Sequence, residues 1–180
     1  LVGDAVTKQT RIAEVTIKEG RSGTLCFVAV DHEVATSRGV AILERQDIVY
    51  RRLPSGAPPA NQPAPLPQAQ WTKDGIADPV LLFRYSALTF NGHRIHYDRR
   101  YATEVEGYPG LVVHGPLQAT LLLEFATAIK GRAPVKFSFR NVQPLFDGMP
   151  YRLCARDWDT GLHLWIQTTD GVQTMDAEAH

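Results

Sequence analysis

The segment that most constrains the fold is an apolar helical pattern running from Pro116 to Gly131. Apolar side chains recur at spacings of three and four, and Leu122 and Leu123 widen the stripe until little polar surface remains. Proline is tolerated in a first helical turn, and glycine is typical just after a last one. The periodic residues are Leu117, Thr120, Leu121, Glu124, Phe125, Ala128 and Ile129. Such a helix must be buried, so other elements of the chain have to cover it.

Four strand patterns follow this helix. They run from Pro134 to Val142, Met149 to Asp157, Leu162 to Thr169 and Val172 to Ala179. The turns between them, Asp147-Gly148, Asp159-Thr160-Gly161 and Asp170-Gly171, have the composition of hairpin turns. Upstream of the helix, Asp78 to Leu88 is compatible with a short helix or turn. The second half of the chain therefore predicts a helix followed by four antiparallel strands.

Three further strand patterns occupy the first fifty residues: Val6 to Ile17, Thr24 to Val34 and Gly39 to Tyr50. Short turns join them without an intervening helix, which predicts an antiparallel meander with one apolar face that needs a cover. Leu53 to Gln70 contains six prolines. Because proline removes hydrogen-bond donors, this segment predicts a linker.

Composition excludes several classes of function. Apolar residues make up 44% of the chain and charged residues 21%, and the formal net charge is zero, which gives no electrostatic reason to expect a nucleic acid or an anionic membrane as partner. No run approaches the roughly 18 apolar residues of a membrane span, and no signal pattern opens the chain. We expect the cytoplasm or, in a eukaryote, the mitochondrial matrix.

The two cysteines and the first residue carry weaker information. Cys26 and Cys154 lie far apart among strand-like residues, so we interpret them as small buried side chains and not as a disulfide or part of a zinc site. The chain begins at Leu1 without an initiator methionine. We expect that it is part of a longer product or that a preceding segment is missing.

Side chains suited to chemistry concentrate between Arg84 and Pro116. Residues 89–98 read TFNGHRIHYD, in which His93 and His96 are three residues apart. The amide of Asn91 precedes the two histidines, and the carboxylate of Asp98 follows them. Residues 110–115 read GLVVHG and lead directly into the apolar helix. We therefore expect the functional site in the loops before this helix.

These two segments resemble the MaoC-like dehydratases, the (R)-specific enoyl-thioester hydratases of the hot-dog fold. The family's hydratase motif is roughly Ser-Gly-Asp-x-Asn-Pro-Ile-His-x-Asp, and the GLVVHG run is similar to the segment that opens its central helix. The variant TFNGHRIHYD resembles a subgroup with type-2 hydroxyacyl-thioester dehydratases and hydratases of mesaconyl-, 3-methylfumaryl- and itaconyl-type CoA esters. The resemblance covers about the last hundred residues.

The resemblance implies an α+β hot-dog fold, in which an antiparallel sheet wraps around a long central helix. We expect a double hot-dog whose first repeat is incomplete: strands only over residues 1–52, a proline-rich linker over 53–75, and a second repeat with the motif over 76–180. The helix of the first repeat would lie upstream. Hot-dog sheets usually join edge to edge, so a homodimer or internal pairing of the repeats is implied.

The resemblance also implies the chemistry. The family's acid/base pair, an aspartate and the final histidine, falls on Asn91 and His96. Because an amide cannot transfer protons at neutral pH, His96 remains as the base that activates water, and Asn91 would position that water. Backbone N–H groups at the start of the helix, at Gly115, would stabilise the thioester oxyanion.

The remaining candidates are substrate-binding residues: Arg84, Arg94, His93, His114 and Tyr85. The arginines could hold the distal carboxylate of a dicarboxylic acyl-CoA, or could instead tie down the loop on Asp98 or Glu104. His93 is interpreted as an orienting residue, His114 as shaping the turn before the helix, and Tyr85 as pocket wall. No metal or redox cofactor is expected; coenzyme A enters as part of the substrate.

The leading prediction is a lyase that hydrates and dehydrates a short branched dicarboxylic acyl-CoA reversibly. The alternatives are a 3-hydroxyacyl dehydratase of fatty acid synthesis acting on acyl carrier protein, a non-catalytic acyl-thioester-binding module, and a thioesterase.

Overall fold

The computed structural model describes residues 1–20, 23–51 and 65–180 and divides the chain into two compact units, Leu1–Asn61 and Gln62–His180. Most of the proline-rich segment lies outside the described residues. Among the described residues, no helix is both long enough and apolar enough to cross a membrane.

The first unit is a three-stranded antiparallel sheet in the order β1-β2-β3, as the strand patterns predict. The strands are Thr7–Gly20 (β1), Gly23–Thr36 (β2) and Gly39–Arg51 (β3). One face is largely apolar because rows such as Val15, Val28 and Ile48 lie side by side across the sheet. Val15 is 58% exposed, so the predicted need for a cover over this face stands.

The second unit is a five-stranded antiparallel sheet in the order β4-β6-β7-β8-β5, packed on one long helix. Its elements in chain order are β4 (Trp71–Ile76), α1 (Pro79–Leu88), α2 (Gly115–Lys130), β5 (Phe137–Asn141), β6 (Pro150–Trp158), β7 (Gly161–Thr168) and β8 (Gln173–Ala179). A sheet curled around one buried helix is the hot-dog architecture, so this part of the fold prediction is confirmed.

The central helix α2 lies where the periodicity predicts it, but its buried face is rotated from the predicted stripe. The buried residues are Leu117, Gln118, Ala119, Leu122, Phe125 and Ala126. Thr120, Glu124 and Ala128, which the stripe included, are exposed. Because apolar residues occur nearly all around the helix, spacing alone could not fix which side faces the sheet. Leu122 is fully buried and packs in the core cluster.

Strand β4 is absent from the sequence prediction, which assigned 53–75 to a linker and only four strands to the second unit. Trp71–Ile76 pairs antiparallel with β6, from Trp71 opposite Ala155 to Ile76 opposite Pro150. The segment alternates poorly because it lies at the edge of the sheet. Pairing with a distant strand stabilises it, together with an ion pair between Asp74 and Arg152.

The Asp147-Gly148 turn is not a hairpin turn, contrary to the sequence prediction. Strand β5 pairs with β8 and not with β6, which follows it in the chain. Gly148 has a positive φ of 74° and Asp147 binds a loop elsewhere in the unit, so both residues serve a longer connection. The other two turns do join paired neighbours, β6 to β7 and β7 to β8.

The last turn of α2 provides a stability test. Gly131 follows the helix with φ 70°, and a Cβ there would meet nothing within 4 Å. Gly131→Ala should therefore lower the free energy of unfolding by about 1 kcal/mol through backbone strain alone. Urea unfolding measures this, with Gly92→Ala as the control because that glycine also has open space but no positive φ. Equal losses for both variants would contradict this account.

Candidate active site

The two predicted loops meet at the start of α2. Residues Arg94–His96 form a single 3-10 turn that buries Ile95 and His96, and a π-helical turn follows over Tyr101–Val105. Asp98 holds these turns together by accepting hydrogen bonds from the backbone N–H of Tyr101 (3.0 Å) and from Arg94. Asp98 therefore stabilises the loop.

His96 is oriented by a main-chain carbonyl. Its ring is buried, with 8% exposure, and its Nδ1 lies 2.7 Å from the carbonyl oxygen of Val112. Since a carbonyl only accepts hydrogen bonds, the proton of the neutral ring must lie on Nδ1 and the lone pair on Nε2. Within the described residues Nε2 has no hydrogen-bond partner, yet it is not among the fully buried unpaired nitrogens. The basic nitrogen thus keeps contact with solvent.

The surroundings of His96 favour the neutral ring. Burial lowers its pKa below the ordinary 6.5, and nearby His93 lowers it further, while the hydrogen bond to Val112 partly offsets these effects. The ring therefore remains an unprotonated base down to more acidic pH than an exposed histidine would. This is the protonation state needed by a group that takes a proton from water near pH 7.

A second imidazole, His114, stacks on His96 with ring centroids 3.7 Å apart. It is 1% exposed and precedes the first residue of α2, and its Nε2 lies 2.8 Å from the hydroxyl of Ser86. Burial and the neighbouring ring lower the pKa of His114 to about 4. Its Nδ1 is buried without a hydrogen-bond partner among the described residues. His114 thus joins α1 to the start of α2 as a neutral ring beside His96.

Gly115 begins α2, where backbone N–H groups have no intrahelical acceptors. A Cβ at Gly115 would collide with the side-chain amide of Asn141, at the end of β5. The glycine therefore lets a polar side chain approach the helix start. The arrangement supplies donors and the positive end of the helix dipole next to the imidazole pair, as an oxyanion site requires.

Asn91 holds its loop in shape. Its side-chain oxygen accepts a hydrogen bond from the backbone N–H of His93 (3.0 Å), and its own N–H donates to the carbonyl of Ser86 (2.9 Å). The amide NH₂ remains available to a ligand. His93 is exposed, and its ring meets His96 edge-on at 5.6 Å. His93 thus lies beside His96, Asn91 holds the backbone of His93, and the catalytic role of Asn91 remains a prediction.

The other candidates separate into two groups. Tyr85 is half-buried and its ring contacts His114 at 4.9 Å, as a wall residue would. Arg94 instead forms an ion pair with Asp98 (2.7 Å), and its guanidinium lies over the ring of Tyr101. These contacts match the alternative prediction that Arg94 ties down the loop. Arg84 is exposed on α1 and has no ion pair within the described ranges. The substrate-binding role of Arg84 remains a prediction.

Three groups that shape the site are not predicted from the sequence: the Ser86 hydroxyl, the Val112 carbonyl and the Asn141 amide. Ser86 occurs in an ordinary helix and Asn141 near the end of a strand, so neither has a local signal. Any main-chain carbonyl can accept a hydrogen bond, so nothing in the sequence distinguishes Val112. The GLVVHG run, which contains this residue, was the only available indication.

Comparison with known proteins identifies relatives over most of the chain. A family model described as hydroxyacyl-thioester dehydratase type 2 matches residues 1–147. Mesaconyl-C(4)-CoA hydratase of Chloroflexus aurantiacus is 49% identical over 179 residues, which are 98% of this chain and 63% of that protein. The mitochondrial hydroxyacyl-thioester dehydratase type 2 of Schizosaccharomyces pombe is 36% identical over 142 residues, 76% of this chain and 43% of that protein. The chain thus spans less than two thirds of either relative.

Solved structures share the fold at lower identity. HtdX of Mycobacterium tuberculosis superposes with a TM-score of 0.68 at 22% identity, covering 97% of this chain and 68% of that one. A MaoC-like dehydratase from Phytophthora capsici gives a TM-score of 0.69 at 17% identity, covering 97% and 63%. At these identities the superpositions establish the fold and leave the chemistry to the residues of the site.

Proposed function

Because the chain belongs to the hydroxyacyl-thioester dehydratase type 2 family, we propose that it catalyses the reversible hydration of an enoyl thioester to a 3-hydroxyacyl thioester. The observation that carries the proposal is the orientation of His96. Its Nδ1 proton is committed to the Val112 carbonyl, so its Nε2 lone pair is available beside the start of a buried helix. A base and oxyanion donors at one place are what this addition requires.

In the proposed mechanism, His96 Nε2 removes a proton from water as the water oxygen bonds to C3 of the enoyl group. The electrons of the double bond move onto the thioester oxygen, where the N–H of Gly115 stabilises the charge. When the carbonyl reforms, C2 takes the proton from the His96 imidazolium, so that water has been added across the double bond. Asn91 contributes its amide NH₂ to hold the water or a substrate oxygen.

For the substrate we propose a short branched dicarboxylic acyl-CoA of the mesaconyl-C4-CoA type. The 49% identity to a protein of that name supports this class. To bind its distal carboxylate we propose Arg84, which has no ion pair among the described residues, whereas Arg94, Arg99 and Arg100 are each paired with a carboxylate of the protein. A guanidinium that has no such partner can bind the distal carboxylate through two parallel hydrogen bonds.

The alternative substrate is a 3-hydroxyacyl thioester without a distal carboxylate; the similar Schizosaccharomyces pombe protein is named only as a hydroxyacyl-thioester dehydratase. A fatty acyl chain would need no cation at its distal end. The two classes are separated by following the loss of the conjugated enoyl thioester with mesaconyl-C4-CoA and with crotonyl-CoA. If the protein hydrated neither of the two esters, this result would contradict the proposed function.

Arg84→Gln should distinguish these substrates within one protein. We expect its KM for mesaconyl-C4-CoA to rise at least tenfold, since a charge-assisted hydrogen bond contributes about 1.5–3 kcal/mol. Its KM for crotonyl-CoA should hardly change. Arg100→Gln is the matched control because that exposed arginine is paired with Glu104. Equal changes in KM for the two esters would show that Arg84 does not recognise the distal carboxylate.

A further inference from the structure

A buried carboxylate outside the family motif connects the two loops of the site. The side chain of Asp147 is only 3% exposed. One oxygen accepts a hydrogen bond from the backbone N–H of Leu111 (2.7 Å), and the other pairs with the guanidinium of Arg99. Arg99 lies three residues after His96, and Leu111 directly precedes Val112, whose carbonyl orients that imidazole.

The main chain around Leu111 is held on two sides. The N–H of Asp147 donates to the Leu111 carbonyl (2.9 Å), and Val113 donates to Leu145 (2.8 Å). On the other side, the Val112 N–H donates to the Ile95 carbonyl (3.0 Å). The Val112 carbonyl is therefore placed by a strip of backbone whose beginning is fixed by the Asp147 carboxylate.

Gly110 shows how closely the Asp147 carboxylate approaches the main chain before Leu111. A Cβ at this position would lie 2.7 Å from the Asp147 oxygen that binds Leu111. Because Asp147 is buried, its charge is balanced mainly by Arg99, and removal of either partner would leave the other without its complement. The carboxylate therefore satisfies a backbone donor from one loop and a cation from the other at the same time.

We propose that Asp147 is a positioning residue for His96, acting through the Val112 carbonyl to keep the imidazole proton on Nδ1 and the lone pair on Nε2. The inference deepens the proposed function, since it assumes that His96 is the base. In Asp147→Asn, one amide cannot present an acceptor to both Leu111 and Arg99. The Val112 carbonyl should then shift, and the imidazole should lose its single tautomer.

The test combines a spectroscopic reading with kinetics on the full chain. With ¹⁵N-histidine labelling, the wild-type His96 ring should show the Nδ1–H tautomer, and Asp147→Asn should move both ring nitrogens toward values of a tautomer mixture. Its kcat should fall about 10- to 100-fold, as for a small misplacement of a catalytic group. The acid limb of the pH profile of its kcat/KM should shift as well.

Arg99→Gln should change the His96 signals in the same direction, and it provides a second variant if Asp147→Asn folds poorly. Asp74→Asn is the matched control, because Asp74 forms an exposed ion pair with Arg152; its His96 signals should equal those of the wild type. Unchanged ring-nitrogen shifts in both Asp147→Asn and Arg99→Gln would overturn the proposal. Because that reading needs no turnover, it separates this inference from failure of the hydratase assignment.

Discussion

His96→Ala should lower kcat for enoyl-CoA hydration by about 10²- to 10⁴-fold, the range for loss of a general base. The remaining donors at Gly115 and Asn91 could still bind and polarise the thioester, so KM should change far less than kcat. Steady-state hydration rates with the better of the two CoA esters provide the measurement. Added imidazole should restore part of the activity, because the alanine leaves space where the ring was buried.

The control for this variant is His163→Ala. His163 is on β7 between Leu162 and Leu164, which belong to the core around α2, so its side chain lies on the opposite face of the sheet. The substitution removes an imidazole and its contact with Asp176 without touching the proposed site. If His96→Ala retained activity within a few fold of His163→Ala, the assigned base would be incorrect.

This result would also distinguish the alternative functions. A non-catalytic acyl-thioester-binding module would have no hydration activity to lose, and a thioesterase would release free CoA instead of a 3-hydroxyacyl ester. Hydration remains the function we propose, because the His96 ring stacks on His114, the residue that precedes the start of α2. Product analysis of the same reaction mixture separates the three outcomes.

The parts of the fold that were predicted from the sequence are those encoded by neighbouring residues. Helix α2 has a continuous periodic pattern, and strands β1 to β3 are long runs of strand-forming residues joined by short turns. Strand β4 and the Asp147-Gly148 connection depend instead on partners roughly 80 and 35 residues away, respectively. A local pattern carries no information about such pairings, so these two predictions were incomplete or wrong.

The features of the site likewise divide into those that the local sequence indicates and those that depend on distant contacts. The motif indicated His96 and Asn91, but the tautomer of His96 depends on a carbonyl 16 residues later, and Ser86 meets His114 across 28 residues. Arg94 illustrates the reverse case: its local partner Asp98, four residues on, was foreseen as an alternative to substrate binding. Residue types thus suggested the chemistry, whereas tertiary contacts determine which His96 nitrogen carries the proton.

The buried imidazole of His114 should make the protein less stable in mild acid. Its pKa is lowered from 6.5 to about 4, so between these values the unfolded chain binds a proton that the folded chain does not. The free energy of unfolding should therefore decrease as the pH falls through this window, by roughly 3 kcal/mol in total for this residue. His96, whose pKa is also lowered, adds a loss of the same sign.

Urea unfolding at a series of pH values from 7.5 to 4.5 tests this prediction, with His114→Asn as the variant. We expect His114→Asn to be less stable than the wild type at pH 7.5, because it loses the packed ring, but to lose much less stability on acidification. Ser86→Ala is the control: it removes the hydroxyl bonded to His114 but leaves a titratable buried ring, so its pH dependence should follow the wild type. Parallel curves for His114→Asn and the wild type would show that the acid sensitivity arises elsewhere, because a side chain that cannot take up a proton cannot produce it.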